Sequence, residues 1–148
     1  AELARAHGCD HPIVYTRENL VERVRELTHG AGVPVVYDSI GADTYEASLN
    51  CLAPLGMMVS FGNASGPAPA VSPGDLASRG SLFFTRPTLM TYTAKREDLV
   101  NSANALFDVV KSGAVKIEVN QTFPLADASD AHRALESRQT TGSTVLVP

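Results

Sequence analysis

Two short loops carry most of what could do chemistry in this sequence. One is Ser39-Ile40-Gly41, directly after the apolar run Val35-Val36-Tyr37-Asp38; the other is Gly62-Asn63-Ala64-Ser65-Gly66, directly after Met57 to Phe61. Small, glycine-bearing segments at the ends of β-prone runs let backbone N–H and C=O groups lie close against a flat, amide-bearing ligand. On pattern alone the plainer reading, that these glycines do no more than turn the chain, comes first. Other chemistries lack their residues. Neither a GxSxG elbow nor a Cys/His signature supports nucleophilic catalysis. No GxxxxGK[ST] string cradles phosphate, and no GxGxxG loop is present, because Gly30-Ala31-Gly32 lacks the third glycine and follows a helical stretch. Asp38 therefore reads as a strand-end residue that hydrogen-bonds a neighbouring loop, and not as the ribose carboxylate found about twenty positions after such a loop. What remains is chemistry in which a cofactor carries the reactive group and the protein positions it. No side chain is singled out as a catalytic acid, base or nucleophile.

Metal chemistry is equally unsupported by the pattern. Cys9 and Cys51 stand far apart without a CxxC pairing, the four histidines are scattered, and nothing groups the three Cys, His or carboxylate ligands of a catalytic zinc. The two cysteines read as ordinary reduced thiols. The net charge of −4 is mild, and the twelve basic residues form no run interleaved with aromatics, so a nucleic-acid surface is not expected. Apolar runs are strand-length and fall far short of the ~20 residues of a spanning helix. With no basic-then-apolar leader at the N-terminus, the cytoplasm is the expected compartment.

The elements that must hold the two loops can be read from the same sequence. At 148 residues and 44% hydrophobic content, the chain suits one compact domain. It opens at Ala1, and Ala1 to His7 reads as the closing turns of a helix stopped by Gly8, so the chain is expected to begin within a fold. Ile13-Val14-Tyr15 reads as a strand, and Thr16 as the cap of a helix carrying Leu20, Val21, Val24 and Leu27 on one face. Val35 to Asp38, Met57 to Phe61 and Ser81 to Thr85 give three more strands. Between them, Asp43 and Glu46 resemble a capping box for a helix running through Leu52, and a short helix is expected near Asp75 to Ser78. Arg86-Pro87 stops the last of these strands, and the longest helix is expected over Lys95 to Ser112, ahead of Gly113. A strand over Ile117 to Phe123, a helix over Asp127 to Arg138 and a strand over Ser143 to Val147 close the chain. Near-continuous Val/Ile strands alternating with helices predict an α/β fold, part of a doubly wound (Rossmann-like) parallel sheet covered on both faces. In such sheets ligands bind beyond the carboxyl ends of the strands, where both loops lie.

Longer strings then carry a resemblance: IVYTREN (Ile13 to Asn19), VVYDSIG (Val35 to Gly41), SFGNASG (Ser60 to Gly66), GSLFFTRPTL (Gly80 to Leu89) and ESRQTTGSTVLVP (Glu136 to Pro148). In order and over nearly the whole chain they resemble the zinc-independent quinone oxidoreductases of the zeta-crystallin-like branch of the medium-chain dehydrogenases/reductases. SFGNASG and GSLFFTRPTL are specific to that branch, whereas VVYDSIG is shared more widely. The resemblance implies a two-domain enzyme that uses NADPH to reduce quinones or enones by hydride transfer without metal. It implies that Tyr15 lies near the adenosine phosphate and that Ser39, Ile40 and Gly41 line the cofactor. Phe61, Gly62 and Asn63 would hold the nicotinamide end, Pro87, Thr88 and Leu89 would form a further cofactor-side loop, and Arg138 would reach the cofactor from the C-terminal segment. It divides the chain into residues 1–113, an incomplete dinucleotide-binding domain lacking its glycine-rich loop, and 114–148, a C-terminal strand-helix-strand of a catalytic domain that is otherwise absent. The Ser81 to Phe84 strand is then expected to pair between subunits of a homodimer, an arrangement that would cover its apolar edge. Two other readings stay open: an enoyl-reductase module of a polyketide synthase, and a non-catalytic dimerisation and partial nucleotide-binding fragment.

Overall fold

Apolar strands with short, one-sided helices between them can pair only in parallel, and that is the outcome in the computed structural model, which describes residues 1–148. The chain forms two compact units, Ala1–Tyr92 and Thr93–Pro148. The first begins with α1 (Glu2–Ala6) and α2 (Leu20–Leu27), followed by β1 (Val33–Asp38), α3 (Tyr45–Cys51), β2 (Leu52–Ser60), α4 (Pro73–Ser78), β3 (Phe83–Thr85) and α5 (Leu89–Tyr92). Its three strands lie in the order β1-β2-β3, all parallel. Strand pleating separates two rows of registered residues. Val36, Met58 and Phe84 point toward Tyr45, Leu49, Leu52 and Leu82, and Val33, Ala68, Val71 and Leu76 pack against that core.

Three expectations are corrected in this unit. Ile13 to Tyr15 is not a strand: the Val14 amide donates to Glu18 Oε1, and the Val14 carbonyl accepts from Arg17 and Glu18, so a turn consumes the groups a ladder would need. The cap of α2 is Asn19 and not Thr16, because the Asn19 side chain accepts from the amides of Val21 and Glu22. The Asp43/Glu46 capping box does not form. The Asp43 amide is held by Ser65, and Glu46 reaches Arg79, which also binds Asp75 and so ties α4 to α3. The core of this unit lies against one face of the sheet, and on the other face Val35, Met57 and Phe83 form a row of exposed residues across the three strands, joined by Tyr37 at 73% exposure. The single turn α5 has no counterpart in the sequence reading.

The second unit holds α6 (Arg96–Lys111), β4 (Val119–Pro124), a 3₁₀ turn (Leu125–Asp127), α7 (Ala128–Glu136) and β5 (Ser143–Val147). The two strands pair in parallel, as a strand-helix-strand crossover requires. The helix expected over Lys95 to Ser112 forms within two residues of that range, and Gly113 follows it at φ 78°. Its apolar residues Leu99, Val100, Leu106 and Phe107 remain exposed.

Candidate functional site

Parallel pairing puts the carboxyl ends of β1, β2 and β3 at one edge of the sheet, with Asp38 beside Ser60 and Val59 beside Thr85. The loops Ser39–Gly41, Phe61–Gly66 and Arg86–Leu89 therefore leave the sheet side by side, where open α/β sheets bind ligands. The first two are stitched together. The Ala64 amide donates to the Ser39 carbonyl at 3.2 Å, Ser65 to Ile40 at 2.7 Å, and Ala42 to Gly66 at 3.1 Å. The third is tied to the second by Arg86, whose Nη1 donates to the Ser60 carbonyl at 2.8 Å.

Asp38 shapes the first loop from beneath. It is 4% exposed, and its carboxylate accepts from the amides of Ile40 (2.8 Å) and Gly41 (3.0 Å) and from the hydroxyls of Thr44 (2.8 Å) and Ser48 (2.6 Å). Burial by itself would raise its pKa, but the hydrogen bonds from Ser48, Gly41, Thr44 and Ile40 outweigh burial and hold the carboxyl below its ordinary value. Asp38 is a strand-end residue that hydrogen-bonds a loop, as expected, but the loop is the one it leads into and not a neighbouring one.

Glycine is required here for the approach of one loop to the other. A Cβ on Gly41, which sits at φ 93°, would lie 2.2 Å from the Gly66 carbonyl oxygen, and one on Gly62 would lie 2.4 Å from that of Ser39. The stitching also engages most of the loop amides. Ile40, Gly41, Ala42, Asp43, Phe61, Ala64, Ser65 and Gly66 all donate within the protein, which leaves Ser39, Gly62 and Asn63 as the unengaged amides of these loops. Accessible side chains complete the edge: Phe61 is 52% exposed, Asn63 is exposed, and no hydrogen bond engages the Asn63 carboxamide.

Of the eleven residues nominated from sequence, nine converge at this edge: Ser39, Ile40, Gly41, Phe61, Gly62, Asn63, Pro87, Thr88 and Leu89. Tyr15 stands half-exposed in the turn ahead of α2, and no hydrogen bond joins it to those loops. Arg138 belongs to the second unit, exposed just beyond α7 at φ 58°. Sequence reading missed the supports Thr44, Ser48, Ser65 and Arg86. Thr44 and Ser48 left a signal, since two small hydroxyls four apart on a helix whose other inward residues are Tyr45 and Leu49 imply a buried polar partner. Ser65 and Arg86 left none.

Converging loops at the carboxyl edge of a parallel sheet, with the one buried carboxylate committed to structure, define a Rossmann-like unit. The chain belongs to the zinc-binding dehydrogenase family, which it matches over residues 7–146. It is 53% identical to a quinone oxidoreductase of Pseudomonas aeruginosa over 148 residues, and 50% identical over 149 residues to a 2-haloacrylate reductase of a Burkholderia species. The alignments cover all of this chain but 46% and 45% of those proteins, so the chain spans about half the length of the curated relatives it matches. Among solved structures, the Escherichia coli quinone oxidoreductase complexed with NADPH superposes with a TM-score of 0.92 at 49% identity, over all of this chain and 46% of that one. The zinc of the family's name finds no ligand set among these residues. No three His, Cys, Asp or Glu side chains come together, Cys9 is exposed alone, and Cys51 is buried with its thiol pKa pushed up by burial.

Proposed function

We propose that this chain is the C-terminal, cofactor-binding portion of an NADPH-dependent oxidoreductase that reduces quinones or enones by hydride transfer without zinc. The observation that carries the reading is the stitched pair of loops at the carboxyl edge, which leaves the Phe61 ring, the Asn63 carboxamide and the Ser39, Gly62 and Asn63 amides for a ligand. A nicotinamide is a flat ring bearing a carboxamide. Phe61 offers it an apolar wall and Asn63 a group that can both donate and accept. NADPH supplies the hydride when bound. This chain's part is to fix the ring's orientation, and the tied loops do so without reorganising at the moment of reaction.

The same proposal places Ser39, Ile40 and Gly41 along the cofactor, Pro87, Thr88 and Leu89 on its far side, Tyr15 near the adenosine phosphate and Arg138 at the cofactor from the C-terminal segment. It assigns residues 1–113 to the dinucleotide-binding domain and 114–148 to the catalytic domain. It makes the protein a cytoplasmic homodimer that pairs through Ser81 to Phe84, supported by the edge position of β3 and the 56% exposure of Phe83. No helix is long and apolar enough to cross a membrane.

The direct test is NADPH oxidation by the full-length enzyme with 1,4-benzoquinone and with 2-cyclohexenone as acceptors, after exhaustive chelation. Turnover that survives chelation and prefers NADPH over NADH is expected. Turnover lost with zinc and restored by it would overturn the zinc-free reading.

A further inference from the structure

Eight backbone amides hold the two carboxyl-edge loops in place, but one side chain bridges them. Ser65 Oγ donates to the Ile40 carbonyl at 2.8 Å and accepts from the Asp43 amide at 3.0 Å, so a single hydroxyl of the second loop grips the first loop on either side of Gly41. The Ser65 amide meets the same Ile40 carbonyl at 2.7 Å. The separation it guards has almost no slack, since a Cβ at Gly41 would fall 2.2 Å from the Gly66 oxygen. Asp38 works differently, because its carboxylate bonds only to its own loop and to α3.

We infer that Ser65 is a positioning residue for the cofactor: its hydroxyl clamps the Ser39–Gly41 loop against the Phe61–Gly66 loop and so sets the spacing of the surfaces that hold the nicotinamide end. The inference rests on the proposed NADPH site. Ser65 contacts no reacting atom in this account and acts through Ile40 and Asp43. Its loss therefore weakens cofactor capture more than it slows turnover once cofactor saturates. The Asp43 amide is exposed and can turn to water, and the Ile40 carbonyl keeps the Ser65 amide, so the fold survives removal of the hydroxyl.

The test is steady-state kinetics of the full-length enzyme carrying Ser65→Ala, Ser65→Thr or Asn63→Ala, with NADPH varied at saturating 1,4-benzoquinone and melting temperatures recorded alongside. For Ser65→Ala, KM for NADPH is expected to rise roughly three- to tenfold, the worth of about one net hydrogen bond, with kcat held and the melting temperature lowered by no more than a few degrees. Ser65→Thr, which keeps the hydroxyl, is expected to restore KM. An unchanged KM in Ser65→Ala beside a raised KM in Asn63→Ala overturns the clamp and leaves the cofactor site standing. An unchanged KM in both overturns the site itself. A KM rise that comes with a collapsed melting temperature and no rescue by threonine makes Ser65 merely structural and overturns the inference.

Discussion

Removing the Asp38 carboxylate tests whether the first loop is built the way its hydrogen bonds indicate. Asp38→Ala deletes an acceptor that serves two amides and two hydroxyls, and it strands the buried Ser48 and Thr44 hydroxyls and the Gly41 amide. At about 1 kcal/mol per net bond the loss is about 4 kcal/mol, reduced slightly because a buried charge no longer needs accommodating. Asp38→Asn keeps the shape: its oxygen can still accept from Ile40 and Gly41, while its amide nitrogen donates to hydroxyls that rotate to accept. That variant is expected to lose only about 1–2 kcal/mol. The wild type and Asp38→Asn also differ in acid. The folded-state pKa of Asp38 lies below its unfolded value, so its contribution is complete above about pH 4 and is lost as pH falls through the folded value. Denaturant titration at pH 7 and again near pH 3 should show the wild type losing stability that Asp38→Asn does not lose. An Asp38→Ala variant within 1 kcal/mol of wild type, or an Asp38→Asn variant with the wild-type acid slope, would falsify this account of the loop.

Three further substitutions probe the backbone and the core. Gly41→Ala places a Cβ 2.2 Å from the Gly66 carbonyl at a residue with φ 93°, so it should part the loops, lower the melting temperature and abolish NADPH binding measured by fluorescence quenching. Leu55 sits in the left-handed region at φ 61° with 68% of its surface exposed, so Leu55→Asn, which tolerates that conformation, should add about 0.5–1 kcal/mol in a urea titration. The buried Tyr45 hydroxyl has no hydrogen-bond partner, and Tyr45→Phe should leave stability equal or raise it by up to about 1 kcal/mol in the same assay. A loss above 1 kcal/mol there would show that the phenol oxygen is satisfied after all.

What the sequence disclosed follows the reach of each signal. The β1 and β2 strands and α6 were legible because apolar runs and helical spacing are local, and both carboxyl-edge loops were legible as the small residues that follow those strands. Ile13 to Tyr15 misled because three β-prone residues make a strand only when a neighbour supplies the other half of the ladder, and here a turn takes Val14 instead. Thr16 and Asp43 are good caps by type, but Asn19 and Ser65 hold the relevant amides, and which competitor wins depends on geometry that no residue spacing encodes. The glycines of the loops were visible, but their reason was not: they admit a second backbone strand of contacts from twenty-odd residues away along the chain, as in Ala42 with Gly66. Ser65 and Arg86 act across elements and are ordinary loop residues until the loops meet.

In the proposed function the carboxyl-edge loops of this chain hold the nicotinamide end of NADPH. Calorimetric titration of NADPH into the full-length enzyme and its Phe61→Ala and Asn63→Ala variants tests it most directly. The account predicts saturable binding by the wild type that weakens by about tenfold in each variant, the worth of a lost ring contact or amide pair. Wild-type binding that neither substitution weakens would place the cofactor elsewhere and contradict it.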